Sequence, residues 1–160
     1  MGMDWAGWAV FGLVASAALT AVMTTAQLAG LTRLDLPLLL GTLVTENPDR
    51  ARAAGFGIHL LVGQAFGIGY LLVFALLHQA TWWLGVLLGL LHVSVVLLVL
   101  LPVLPGVHPR MASHRAGPVS RAVLEPPGVL ALSYGVQTPA VAVAAHLVYG
   151  GVLGMLLGVR

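Results

Sequence analysis

Two histidines stand inside apolar runs with the same spacing: "HLLVGQAFG" from His59 to Gly67, and "HLVYGGVLG" from His146 to Gly154. A third, His92, lies in "GLLHVSV". Imidazole ordinarily titrates near neutrality, so such rings can exchange protons, ligate a metal, or simply donate to a neighbouring oxygen. Ionisable groups in hydrocarbon are costly and mark functional candidates. Three chemistries fit these residues. His59 and His146 with Asp35 and Glu125 offer the imidazole and carboxylate donors of a divalent metal site, although no short ligand motif such as H-E-x-x-H is present. His59 and His146 alone supply the two axial ligands of a b-type haem, which would need a broad cleft between glycine-rich faces. A proton-linked or small-solute pathway asks least: titratable rings, hydroxyls and an amide, Gln64, in a partly hydrated interior.

The elements that must position these side chains follow from hydropathy. Apolar residues make up 59% of the 160, charged residues only 8%, and the mean hydropathy is +1.01, a composition suited to lipid. Four stretches are long and apolar enough to cross a bilayer, which needs roughly 20 residues each: Trp5 to Leu28, Ala53 to Leu77, Trp82 to Leu101 and Pro139 to Val159. Two loops, 30–52 and 102–138, and the tight connection "HQAT" (His78 to Thr81) complete the chain. The "ASA" at Ala15 to Ala17 resembles a signal-peptide cleavage site. The preceding "MGMDWAGW" has no positive charge, however, and the apolar run is too long, so the first stretch reads as a retained helix.

There is no lysine, and Arg33, Arg50, Arg52, Arg110, Arg115 and Arg121 all fall in the two long loops, with only Arg160 elsewhere. The positive-inside rule then puts both long loops in the cytoplasm and both termini outside. That bias also accounts for the net charge of +2 without nucleic acid as a partner. The absence of cysteine excludes disulfides, thiolate metal sites, iron–sulfur clusters and covalently attached haem c. No nucleophile elbow, phosphate loop or catalytic-triad spacing is present, so the chain does not read as an enzyme.

The halves of the chain match in order. Each has an apolar helix, then an acidic-x-Pro loop ("LDLPLLLG", Leu34 to Gly41; "LEPPGVLALSYG", Leu124 to Gly135), then a helix opened by a capping residue and proline (Asn47-Pro48; Thr138-Pro139) and carrying histidine. Two helices per unit give repeats of about 1–78 and 82–160, inserted in the same sense about an axis along the membrane normal. Gly63 and Gly67 share the face of His59, and Gly150, Gly154 and Gly158 that of His146, so these faces are expected to pack closely against other helices. Gly12, Ser16, Thr20, Thr24 and Gln27 form a small, polar stripe on the first helix, and Gly85, Gly89 and His92 one on the third. Trp5, Trp8, Trp82 and Trp83 mark the outer interface. Both acidic-x-Pro loops are too apolar for water and too short to span, so they are expected to tuck under the bundle and bring Asp35 and Glu125 toward the histidines. In "PGVHPRMASHRAGP", His108, Arg110, His114 and Arg115 read as a solvated anchor or as a site for an anionic headgroup.

Through "AHLVYGGVLG" (Ala145 to Gly154), "HLLVGQAFG" and "ALTAVMTTAQ" (Ala18 to Gln27), the chain resembles the small bacterial four-helix inner-membrane proteins of unknown function that include the YagU-like group. The resemblance implies a multi-pass plasma-membrane protein and supplies no catalytic residues. The expectation is therefore an all-α, single-domain, four-helix membrane bundle. Its polar site consists of His59, His92, His146, Gln64, Asp35 and Glu125, and it serves transport or proton-linked sensing. The alternatives are a helix-packing subunit of a larger membrane complex and a metal- or haem-binding protein. Beyond the lipid bilayer, the expected partners are a second copy, with the site near the interface, or a larger complex.

Overall fold

The computed structural model describes residues 4–112 and 124–158. Asp4 opens the first helix by accepting the N–H of Gly7 at 2.8 Å, and α1 runs from Trp5 to Leu28. Asp35 does the same for the six-residue α2, Leu36–Gly41, accepting from Leu38 N–H at 2.9 Å. Asn47 caps α3, Pro48–Leu76, with the fixed φ of Pro48 at its first position. Thr81 caps α4, Trp82–Val95. A π-helical turn, Val96–Leu100, leads into α5, Leu101–Val107. A 3₁₀ segment, Val129–Tyr134, precedes α6, Thr138–Gly158.

Among the described residues, four helices are long and apolar enough to cross a membrane: α1, α3, the continuous run Trp82–Val107, and α6. The third extends six residues beyond the expected end at Leu101. Proline normally stops a helix because it lacks an N–H and its ring collides with the carbonyl four residues back. Here a wider π turn, in which Leu101 N–H donates to the Val96 carbonyl, comes immediately before, and the helix continues through Pro102 as α5. Thr138 also departs from expectation. Its hydroxyl does not cap α6 but lies 2.7 Å from that of Thr32, tying the α1–α2 linker to the start of α6.

The helices are arranged as an open arc in the order α3, α1, α6, α4. On α6, Gly150 faces Gly85 of α4 so closely that a Cβ on either would fall on the other's carbonyl oxygen, and Gly154 and Gly158 meet the backbone of Thr81 and Ala80 in the same way. Small residues allow such backbone contact. The α1–α3 seam is built differently, because its glycines make room for side chains. Gly63 accommodates the Ser16 hydroxyl, Gly12 the Gln64 amide, and Gly67 the edge of the Trp8 indole. Between α3 and the α4–α5 run the arc stays open.

The apolar loops do tuck under the bundle, each in its own way. Gly41 and Gly55 bring α2 against α3 backbone to backbone, over the carbonyls of Ala51 and Pro37. The second loop forms a 3₁₀ turn with Leu130 (φ 54°) and Ala131 (φ 61°) in left-handed backbone. Burial, then the Glu125 carboxylate, push the Tyr134 hydroxyl up to about 12, with Arg33 opposing. That phenol therefore stays protonated and donates to the carbonyl of Glu125.

Candidate functional site: a histidine-floored cleft

The opening between α3 and α4–α5 is a cleft of about 390 Å³, a size typical of small-molecule sites. His59, His92, His146, Tyr149 and Ser16 form its polar floor; the walls are leucines, valines and Phe66. As residues all three histidines are largely buried: His59 and His92 are 8% exposed and His146 is 7%. The His92 and His146 rings meet edge to face at 4.6 Å between centroids, and Phe66 stacks on His92 at 3.8 Å. His92 thereby joins α3 to α4 at the point where they begin to diverge, with Tyr70 of α3 contributing a hydroxyl 3.3 Å from its Nδ1.

All three rings are oriented through Nδ1. His146 Nδ1 donates to the carbonyl of Ala142 at 2.8 Å, one turn back on α6. His59 Nδ1 lies 2.7 Å from Thr20 Oγ1, whose single proton goes to the Ser16 carbonyl at 2.8 Å. Thr20 must then accept, so His59 Nδ1 carries the proton. The Tyr70 hydroxyl has only His92 Nδ1 as an acceptor among the described residues, so His92 accepts there and carries its proton on Nε2. In the neutral rings, His59 and His146 keep Nε2 as an acceptor and His92 keeps Nε2–H as a donor. No hydrogen bond joins any of these Nε2 atoms to another described residue.

The remaining residues expected at the site lie elsewhere. Gln64 sits in the α1–α3 seam, where Nε2 donates to the carbonyl of Ala9 at 2.7 Å; Oε1 is buried there without a partner. Asp35 is occupied by its capping bond and by Arg52 Nε at 2.8 Å. Glu125 pairs with Arg33 at 3.3 Å on the surface. Neither carboxylate reaches the histidines, because each finds an arginine first, Asp35 at the start of α3 and Glu125 in the α1–α2 linker. Among the described residues no three His, Asp or Glu side chains form a metal-binding group, so the expected histidine–carboxylate donor set is not assembled. Gly63 and Gly67 lie beneath the site and leave room for Tyr149, whose hydroxyl donates to the carbonyl of Gly63 at 2.6 Å.

Tyr149, Tyr70 and Phe66 were not singled out from sequence. Their signal is helical spacing, since Tyr149 is three residues after His146, and Phe66 and Tyr70 are seven and eleven after His59.

His108 is a further departure from expectation, buried where the sequence suggests a solvated anchor. Its Nε2–H donates to the carbonyl of Leu39 at 3.0 Å, and its Nδ1 accepts the N–H of Arg110 at 3.1 Å. Arg110 in turn donates to the carbonyl of Thr42 at 2.6 Å and faces Glu46 at 3.6 Å. This clamp holds the end of the third span against α2, which closes the long-loop end of the cleft through Leu36, Leu39 and Leu40. His114 and Arg115, from the same sequence run, lie outside the described residues.

Burial pushes the His108 imidazole below its ordinary value of 6.5, aided by the Arg110 charge and opposed by the Leu39 hydrogen bond. The unfolded chain then binds the proton first as pH falls, so the clamp is fully stable above about 6.5 and weakens as pH drops toward the lower folded value. Protection factors of the α2 amides, taken relative to intrinsic exchange at each pH, should fall on acidification through that window. In His108→Gln the fall should be absent.

Compared with protein-family models, with curated proteins and with solved structures, the chain matches none.

Proposed function

We propose that the chain is a multi-pass plasma-membrane protein that binds a small solute on the floor formed by His59, His92 and His146, in the service of transport or sensing. The observation that carries this reading is the orientation of the three rings. Nδ1 is engaged inside the protein in each, while Nε2 of each has no partner among the described residues and the three rings line one cleft. Polar atoms inside a folded chain normally find partners, so three histidines that line one cleft with Nε2 unengaged favour a ligand or ordered water. The arginine-rich loops favour a cytoplasmic placement of the α2 end. An ancestral duplication accounts for α1–α3 and α4–α6 as two antiparallel pairs whose second helices both bring histidine to one floor. The contrast between the close α1–α6 seam and the open α3–α4 side would then be the asymmetry that creates the cleft.

The packing-subunit alternative loses its strongest support, because Gly150 and Gly154 are already used against α4 within the chain.

Diethylpyrocarbonate, an apolar reagent that acylates neutral imidazole nitrogen, offers a test in native membranes. Exposed His78 should react fastest, His59 and His146 more slowly through the cleft, and His108, engaged at both nitrogens, slowest. Peptide mass spectrometry would report the order. The site reading fails if His59 and His146 prove as inert as His108.

A further inference from the structure

The shape of the cleft specifies what enters it. The long-loop end is closed by α2 and held by the His108 clamp, whereas the flank is open: Val99 is 52% exposed and Val103 is 56%. Both belong to a run of helix apolar enough to lie in a bilayer, so the mouth opens sideways, at the depth of acyl chains. Among the described residues no Asp, Glu, Lys or Arg lines the cleft, and its walls are almost wholly hydrocarbon. A charged ligand would therefore be buried without a counter-charge, and a small hydrophilic one would leave the walls unsatisfied. The histidines that line the floor, by contrast, leave two acceptors without a partner among the described residues, Nε2 of His59 and of His146, and one donor, Nε2–H of His92. A hydroxyl group answers both, since it donates once and accepts twice.

From these features we infer that the cleft binds a bilayer-dissolved amphiphile with an uncharged hydroxylated head, an alcohol or phenol, on the histidine floor and its hydrocarbon portion along the walls of α3 and α4–α5. The inference rests on the solute-site reading above and narrows it to one ligand class and one route of entry. Ser16 offers the head an acceptor but no donor, because its hydroxyl already donates to the carbonyl of Gly12 at 2.8 Å.

The test uses the full chain, labelled with ¹⁵N-histidine, in lipid nanodiscs. The probes are 4-hexylphenol, its methyl ether and phenol itself, compared at equal concentration in the membrane. 4-Hexylphenol should shift the Nε2 signals of His59 and His146 saturably, with half-saturation at least tenfold lower than for phenol; the methyl ether should leave both signals in place. Val99→Trp, which narrows the mouth without touching the floor, should raise the 4-hexylphenol half-saturation at least tenfold. If phenol equals 4-hexylphenol, or the ether acts as well as the phenol, the amphiphile inference is overturned while a histidine-floored site survives. If no probe moves any of the three imidazoles, the amphiphile inference falls together with the solute-site reading. The wild-type comparison alone decides both questions should the tryptophan variant not fold.

Discussion

Gly150→Val should destabilise the protein by about 3 kcal/mol or more, the upper range for forcing volume into a packed interior, and should separate α4 from α6. The reason lies in what the new Cβ meets. At Gly150 it lands on the Gly85 carbonyl and presses on the backbone around Gly89. Peptide groups within a helix have no rotamer through which to yield, so the helices must move apart along a seam that also includes Gly154. His92 and His146 sit on those two helices with their rings at 4.6 Å, so the floor of the cleft should be lost with the seam. Gly69 provides the control, because a Cβ there meets nothing within 4 Å, and Gly69→Val should stay within about 0.5 kcal/mol of wild type. Thermal or detergent denaturation of the purified protein would measure both. Equal stability of the two variants would mean that α4 and α6 do not touch through their backbones.

Gly55→Val should act locally instead. A Cβ at Gly55 falls on the carbonyl of Pro37, and one at Gly41 on that of Ala51, so α2 and α3 also meet through main chain. Only six residues long, α2 depends on that seat, on the Asp35 cap, and on the clamp from His108 to Leu39. Displacing it should cost about 2 kcal/mol and lift Leu36, Leu39 and Leu40 from the closed end of the cleft, admitting water to the histidines. Amide exchange in α2 should rise at least tenfold while α6 remains protected, which would distinguish local opening from general unfolding. Gly57→Val, two residues along and with open space around its Cβ, should leave exchange unchanged. Retained protection of α2 in Gly55→Val would contradict its role as the plug.

Much of this structure is legible in the residues because lipid-compatible helices announce themselves by length and hydropathy. Trp5–Leu28 agrees at both ends, and the cap at Asn47 with Pro48 places the start of α3. The end of the third span was hidden because Pro102 is a stop signal in ordinary helix, and nothing in "VLLVL" (Val96 to Leu100) announces a π turn. The acidic-x-Pro motif was visible in both loops, but motif identity does not determine backbone. Asp35 caps an α-helix, whereas Glu125 precedes two prolines and a left-handed kink. Periodicity put His59 and His146 on small-residue faces, yet it could not show where Asp35 and Glu125 would find their cations, since Arg52 and Arg33 are distant in sequence and reach them only through loop geometry. Gln64 illustrates the same limit from within a helix. Five residues after His59, it turns about 140° away around α3 and packs against Gly12. His108 was the least legible of all, because its shorter contacts, to the Leu39 carbonyl and the Arg110 N–H, are with backbone atoms that leave no mark in side-chain pattern, and the Thr42 hydroxyl stands farther off at 3.4 Å.

The central claim is that three imidazoles share one floor between the spans. Dipolar-correlation solid-state NMR of ¹³C,¹⁵N-histidine-labelled protein in bilayers tests it most directly. Ring-to-ring cross-peaks between His92 and His146, expected at a centroid separation of 4.6 Å, and their loss in His92→Gln are the outcome predicted here. Isolated histidine spin systems, each in contact with lipid acyl chains instead of another ring, would contradict the account.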